Sequence, residues 1–423
     1  MFCLIDINNF YASCECVFRP DLVRKALIVL SSNDGCVIAR SQEAKDLGIS
    51  MGAPFFEIEH LIKRYKVNVF SSNFTLYGDM SRRFSEVVAS FSEDLEIYSI
   101  DEIFLKVPSH EENLNGFGNR IRKTVFQYLG LPISIGFAPT KTLAKVANFF
   151  AKKDPVYGGV CVLETQKDIS HALKILPVEE IWGVGRKLSL KLRGLGINFA
   201  KDLSEADPKW IRKIHSVVLE KTLRELQGIP CFSLETAPSS PKSIQVSRSF
   251  GRTLSKTEDI QVPLSSFLEQ GALKLRKRGL FAFGLYFYLG VKTTKAGRLF
   301  FLSKFLVFPE GVQDPRLMVE SVFKALPSIF KEGVFYKKAG ILLINLKPQE
   351  AQLTLFSSQA PFKGSSDEKY KTLFKAVDRL SKKHGKRSLC LASSLSSYWE
   401  PKRKNMSPSY TTKWTDLPFV VIR

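Results

Sequence analysis

The sequence predicts an α+β chain of several domains, and three observations carry that expectation. The chain has 423 residues, whereas single domains usually hold ~100–150. Residues 243–346 show strand and helix signatures in the order β-α-β-β-α-β. Charge is unevenly placed: residues 1–165 carry 18 basic and 19 acidic side chains, and the remaining 258 carry 44 and 22.

The 243–346 pattern rests on periodicity. Ile244–Phe250 reads as a strand, and Leu264, Phe267, Leu268, Ala272 and Leu275 recur at helical spacing. Phe281, Phe283, Leu285, Phe287, Leu289 and Val291 then alternate with a period of two. Another strand is expected over 299–308, and a helix carries Met318, Val322, Ala325 and Ile329. Ile341–Leu346 closes the set, giving the split βαβ order of ferredoxin-like domains.

The N-terminal part predicts a mixed sheet covered by helices. Residues 2–7 form a short buried strand, and Glu96–Val107 a second. A helix over 116–129, a strand at Ile133–Phe137 and a helix from Lys141 to Lys152 follow. Residues 11–71 read as a helix-rich insertion, and 166–230 as small helices with turns at Gly183-Val184-Gly185 and Gly194-Leu195-Gly196. A Ser- and Pro-containing stretch, 231–242, reads as a linker. Residues 347–423, with 15 basic and 6 acidic groups, predict a partly flexible basic tail with one helix at 367–383.

The net charge of +21 favours a polyanionic partner, of which nucleic acid is the commonest. The longest apolar run, Phe281–Val291, falls far short of the ~20 residues of a spanning helix, so no membrane is expected. No signal peptide is expected either, because Asp6 interrupts the first apolar stretch. Seven cysteines without a CxxC pair support neither a disulfide framework nor a zinc site, and fit a reducing cytoplasm.

Asp6 ends an apolar strand, where a bare carboxylate is costly unless paired or bound to a metal. Asp101 and Glu102 are adjacent acids in another apolar stretch. Strand neighbours point to opposite faces, so the two would serve different ligand positions. Three such acids could hold two magnesium ions ~3.5–4 Å apart and clamp a phosphoryl transfer. Taken singly, each is more simply a structural ion pair.

The motifs around these acids add a resemblance. Asp6-Ile7-Asn8-Asn9-Phe10-Tyr11-Ala12-Ser13-Cys14-Glu15 and Tyr98-Ser99-Ile100-Asp101-Glu102 resemble the two acidic motifs of Y-family DNA polymerases. The match is similar above all to the UmuC branch, which supplies the catalytic subunit of DNA polymerase V. Residues Ser32–Arg40, Ser71–Asn73, Lys141–Lys145, Ile181–Arg186 and Ser407–Thr412 carry it along nearly the whole chain.

The resemblance implies a right-hand polymerase. It assigns a palm over 1–10 and 72–165, fingers over 11–71, a helix-hairpin-helix thumb over 166–230 and a little finger over 243–346. It implies catalysis by Asp6, Asp101 and Glu102, with the carbonyl of Ile7 as a further ligand to two Mg²⁺, and no zinc or organic cofactor. Tyr11 becomes the steric gate that excludes a 2′-hydroxyl. Phe10, Tyr11, Arg40, Lys45 and Lys152 become contacts to the deoxynucleoside triphosphate (Lys153 is adjacent to the last). Gln42 and Lys45 stand where many relatives have Tyr and Arg, and Lys45 offers only a point charge.

Gly183, Gly185, Arg186 and Lys187 read as a hairpin that approaches a DNA backbone, and Arg248 as a further DNA contact. Gln352-Leu353-Thr354-Leu355-Phe356 resembles a sliding-clamp binding peptide, with Leu353, Leu355 and Phe356 as apolar anchors. Primer-template DNA is the expected substrate. A UmuD-type dimer and a RecA filament are partners that the resemblance implies, and translesion synthesis in the SOS response is the implied role. The rival readings are a two-metal DNA nuclease, which digestion without nucleotides would reveal, and a non-catalytic DNA-binding subunit.

Overall fold

The structure, a computed structural model, describes residues 1–236, 240–292, 299–348, 368–385, 388–396, 398–400 and 403–417. The chain divides into two compact units, Met1–Pro238 with Lys404–Arg423, and Ser239–Arg403.

The first unit is built on β1 (Phe2–Ile7), which lies between β6 (Glu102–Lys106) and β7 (Ile133–Ala138) and is antiparallel to both. The edges are β5 (Leu95–Ile97) and β8 (Val160–Val162), the latter parallel to β7. Both sheet faces are covered, which is why β1 is apolar almost throughout. Cys3, Ile5 and Ile7 pack with α1 (Phe10–Phe18), α4 (Phe74–Ala89) and α5 (Leu114–Leu129). Leu4, Phe104 and Ala138 pack instead with α6 (Lys141–Lys153). Each such apolar side chain stabilises the fold by roughly 1.5–3 kcal/mol when fully buried.

Two local devices set α6 on the sheet. Thr140 caps its start, accepting from the Leu143 N–H. Gly136 on β7 has no Cβ, and any Cβ there would strike the backbone of Ala144 and Asn148. The helix therefore lies directly on the strand, and Asn148 Nδ2 donates to the Ser134 carbonyl at 2.8 Å.

The insertion contains a sheet that sequence reading missed. Strands β2 (Leu27–Leu30), β3 (Val37–Arg40) and β4 (Asn68–Ser71) pair in the order β3-β2-β4, flanked by α2 (Gln42–Asp46) and α3 (Phe55–Tyr65). Strands of four residues are too short to display alternation. A second correction concerns Glu96–Val107, which is not one strand: residues 98–101 turn between β5 and β6.

Helices α7 (Gln166–Ile175), α8 (Arg186–Gly194), α9 (Ala200–Glu205), α10 (Pro208–Ile214) and α11 (Val217–Leu226) share one core with α6, through residues such as Phe150, Leu173, Leu192, Leu203 and Leu223. The start of the expected linker is tied to this body. The Cys231 and Phe232 N–H groups donate to buried Glu225 at 2.8 and 2.9 Å.

The second unit follows the expected element order: β9 (Ser243–Leu254), α12 (Thr257–Lys277), β10 (Leu280–Lys292), β11 (Leu299–Val312), α13 (Pro315–Ala325) and β12 (Tyr336–Pro348). Its sheet order is β11-β10-β12-β9, with every pairing antiparallel. Strand β12 thus fills the gap between β9 and β10, which makes β9-α12-β10 a split βαβ.

The basic tail is more ordered than its composition predicts. Helix α14 (Glu368–His384) is held to α12 by Asp378, paired with Arg276 at 2.8 Å, and by Phe374 under the Arg276 guanidinium. Trp399 packs edge-on against Phe267, and Ser394 donates to Glu269 at 2.8 Å. Residues 404–417 pack in the first unit. A few aromatic and hydroxyl anchors fix segments whose average composition suggests none.

Candidate functional site

The period of β1 puts Asp6 on the same sheet face as Leu4, toward α6, while Ile5 and Ile7 point the other way. Asp6 lies directly across from Glu102 in the β1–β6 register. Asp101 precedes β6, in the turn, so the opposite-face rule for strand neighbours does not apply to the Asp101–Glu102 pair. Ser99 organises that turn. Its hydroxyl donates to the Asp101 carboxylate at 2.6 Å and accepts from the Glu102 N–H at 3.1 Å. The Ile7 N–H donates to the Asp101 carbonyl at 3.0 Å, tying the turn to the end of β1.

Three lysines on α6 meet three acids. Lys141 pairs with Glu96 at 2.7 Å, Lys145 with Glu102 at 2.8 Å, and Lys152 with Asp6 at 2.5 Å. Spacings of four and seven residues place these lysines on one helix face. Burial pushes the Asp6 carboxyl up to about 7; Lys152 opposes that rise, and the nearby Glu102 and Asp101 add to it. The three acids therefore occupy one electrostatic neighbourhood. Asp6 and Glu102 each turn to a lysine, and among the described residues no three potential ligands converge at metal-binding spacing. The donor set is nevertheless of the right chemistry: carboxylate and carbonyl oxygens suit a hard divalent cation, and buried Asp6 is short of positive charge.

Asn9, in the left-handed region at φ 52°, turns the chain from β1 into α1. Tyr11 follows, half-buried, with its ring stacked on Tyr77 of α4 at 4.4 Å and 15°. Phe74 meets the Tyr11 ring edge-on at 6.0 Å. The Phe10 ring is buried beside Tyr77, so any contact it makes with a nucleotide would come from its backbone.

Arg40 ends β3, and its guanidinium donates to the Ile49 carbonyl at 2.6 Å. The Lys45 ammonium is held below its ordinary range by burial, then by Arg40 and Lys152. Cations from the insertion and from α6 thus face one region. Lys153 acts more weakly on Lys45, and its ammonium is 3.6 Å from Glu180. Gln42 binds Asp46 at 2.9 Å.

Gly183 adopts φ 89°, Gly185 precedes α8, and a Cβ at either position would meet open space. Arg186 and Lys187 open the helix on the surface. Near this hairpin, Trp182 donates to the Tyr98 hydroxyl at 3.0 Å, beside the acidic turn. Arg248 lies on β9 of the second unit. Partial burial and Arg403 hold its guanidinium below the ordinary value, and Lys274 is lowered in turn by burial, Arg248 and Arg278. Gln352, Leu353, Leu355 and Phe356 lie outside the described residues.

Sequence reading missed Ser99, Lys141 and Lys145. The signal was present, since the lysines repeat along one face of a helix expected from the sequence, but their acidic partners come from a different strand pair.

Comparison with known proteins follows the same lines. Residues 5–148 match the profile of the impB/mucB/samB family, and 241–355 match that family's C-terminal domain. Residues 371–420 match a domain of unknown function. The chain is 41% identical to Protein UmuC of Salmonella typhimurium over 99% of both chains. It is 39% identical to Protein MucB of Salmonella typhimurium over 100% of both. Among solved structures, a Y-family DNA polymerase chimera of Dbh and Dpo4 superimposes with a TM-score of 0.66 at 21% identity, covering 82% of this chain and 99% of that one.

Proposed function

The chain belongs to the impB/mucB/samB family, and from that membership we propose that Asp6, Asp101 and Glu102 carry its polymerase chemistry. The enzyme is a DNA-directed DNA polymerase of the translesion kind. It joins a deoxynucleoside triphosphate to a primer: the 3′-oxygen bonds to the α-phosphorus, and the bond to the β-phosphate breaks to release pyrophosphate. Two magnesium ions would be held by the three acids and the Ile7 carbonyl, and would supply activation of the hydroxyl and neutralisation of phosphate charge.

The observation that carries the reading is the shared electrostatic neighbourhood at one end of β1. Three acids gather there, and Lys152 belongs both to Asp6 and to the cation group of Arg40 and Lys45. The acids serve the reacting end of the nucleotide, and the cations serve its triphosphate. Tyr11 stacks on Tyr77 and feels the charge of Asp101, which suits a ring that would exclude a 2′-hydroxyl. Open backbone at Gly183 and Gly185, with Arg186 and Lys187, suits sequence-independent phosphate contact, and Arg248 with Lys274 suits the same use in the second unit.

Leu355 and Phe356 anchor a sliding clamp, and a UmuD-type dimer and a RecA filament engage the chain in the SOS response; both parts of the proposal rest on sequence resemblance. Among the described residues no helix is long and apolar enough to cross a membrane.

The test is Asp101→Asn in primer extension. Extension should be lost while DNA affinity stays within a few-fold, because the substitution removes charge from the reacting site and not from the basic surfaces. Normal extension by this variant would refute the assignment.

A further inference from the structure

The segment 404–417 returns to the first unit and packs against β4, α1 and α4. It pairs first with β4. The Ser71 N–H donates to the Asn405 carbonyl at 2.8 Å, the Asn405 N–H donates to Ser71 Oγ at 3.0 Å, and Ser71 and Met406 form a parallel bridge. Asn73, which also caps α4 by accepting from Leu76, donates through its amide to the Ser407 and Pro408 carbonyls and to Ser407 Oγ, each at 3.1 Å. Tyr410 stacks on Phe18 at 4.7 Å and 11°. The segment thereby grips both α1, which carries Tyr11, and α4, which carries Tyr77.

One chain of contacts leads from the segment to the sugar site. Ser407 Oγ donates to Glu15 Oε1 at 3.0 Å, and the Tyr77 hydroxyl donates to the same oxygen at 2.6 Å. Tyr77 is fully buried, and Tyr11 lies face-on against its ring. Glu15 is fully buried as well, with Oε2 unpartnered, and burial raises its pKa. A buried carboxyl costs stability wherever it is not fully bonded. An apolar residue could fill that space if packing were the sole requirement. A carboxyl instead demands donors at fixed places, and one of them comes from a residue 392 positions away.

We propose that Ser407 and Glu15 are positioning residues for sugar selection, and that residues 404–417 are a working part of the nucleotide site because they fix Tyr77 and, through it, the ring of Tyr11. The inference rests on the reading of Tyr11 as the steric gate. The relation is mechanical: a gate excludes a 2′-hydroxyl only if its ring cannot retreat, and the surface it would retreat into is Tyr77. Without the Ser407 bond, Glu15 and the Tyr77 hydroxyl can shift, and Tyr11 gains room.

The experiment measures the ratio of deoxy- to ribonucleotide insertion efficiency, with kcat and KM separated, for the full chain and four variants. Ser407→Ala should lower the ratio about tenfold, the equivalent of one hydrogen bond to a charged group, mainly through a lower KM for the ribonucleotide. Ser407→Thr, which keeps the hydroxyl, should restore most of the wild-type ratio. Tyr77→Phe keeps the stacked ring but loses the bond to Glu15, so it should lower the ratio by an independent route; it carries the test should Ser407→Ala fail to fold. Tyr11→Ala is the reference for a lost gate. Should Tyr11→Ala collapse the ratio while Ser407→Ala and Tyr77→Phe leave it at the wild-type value, the proposal is overturned and the gate stands. An unchanged ratio in Tyr11→Ala would overturn both.

Discussion

Two adjacent lysines on α6 offer a sharp test, because the structure gives them different work. The Lys152 ammonium lies 2.5 Å from buried Asp6, and it depresses Lys45 more strongly than Lys153 does. The Lys153 ammonium is 3.6 Å from Glu180, and both of those side chains are well exposed. A charge-assisted contact to a phosphate at the first position is worth ~1.5–3 kcal/mol. Lys152→Ala should therefore lower kcat/KM for the nucleotide by about 10- to 150-fold. An exposed pair such as Lys153–Glu180 is worth ~0.2–1 kcal/mol, so Lys153→Ala should change kcat/KM by about fivefold at most. The assay is single-nucleotide insertion at saturating primer-template, with circular dichroism to confirm that both variants fold. Equal losses in the two variants, or a larger loss for Lys153→Ala, would refute the assignment of Lys152 to the triphosphate.

Three further outcomes follow from the same geometry. Tyr11→Ala should admit ribonucleotides about 5- to 150-fold more readily, since forcing an extra atom against a fixed ring costs ~1–3 kcal/mol, whereas Tyr11→Phe should change little; the ratio of insertion efficiencies decides. The second unit has its own core and carries Arg248, Lys274 and Arg278, so residues 239–403 expressed alone should bind DNA with an affinity that falls steeply with salt; a flat salt titration would assign that charge to another use. Replacing Leu355 and Phe356 together by alanine should abolish stimulation by a sliding clamp and spare extension of a short primer, and normal clamp binding by that variant would make the peptide a spacer.

The elements were legible where one residue pattern ran long enough. Phe281–Val291 alternates through eleven positions and occupies most of β10, and α6 spans nearly the range expected for it. Short strands were not legible, because the four residues of β2, β3 or β4 leave no room for a period to show. Asp6 stood out because an acid in an apolar strand is costly, and Asp101 and Glu102 because they are adjacent acids in an apolar stretch. Ser99 did not stand out. A serine in a turn is ordinary until its hydroxyl is seen on Asp101. For Phe10 the motif marks the position, but the side to which its ring points is set by α4, more than sixty residues on. The contacts of 404–417 were invisible in the sequence because they join residues separated by more than three hundred positions.

The near-neutral balance of residues 1–165 acquires a physical meaning at the site. It does not reflect a scarcity of charge, since 37 of these residues are charged. On α6, lysine and acid are matched one to one, Lys141 with Glu96, Lys145 with Glu102 and Lys152 with Asp6. Each of these acids finds a countercharge on that one helix, although burial still holds the Asp6 carboxyl above the ordinary carboxylate range. The exception lies across from α6. Lys45 has Arg40 and Lys152 as its strongest charged neighbours, and its lowered pKa records their mutual repulsion as well as its burial. An anion bound there would relieve that repulsion and favour the fully charged lysine, so protonation of Lys45 and anion binding would reinforce each other. Asp6 and Glu102 are thus each met by a lysine, and Lys152 serves both Asp6 and the cation group beside it.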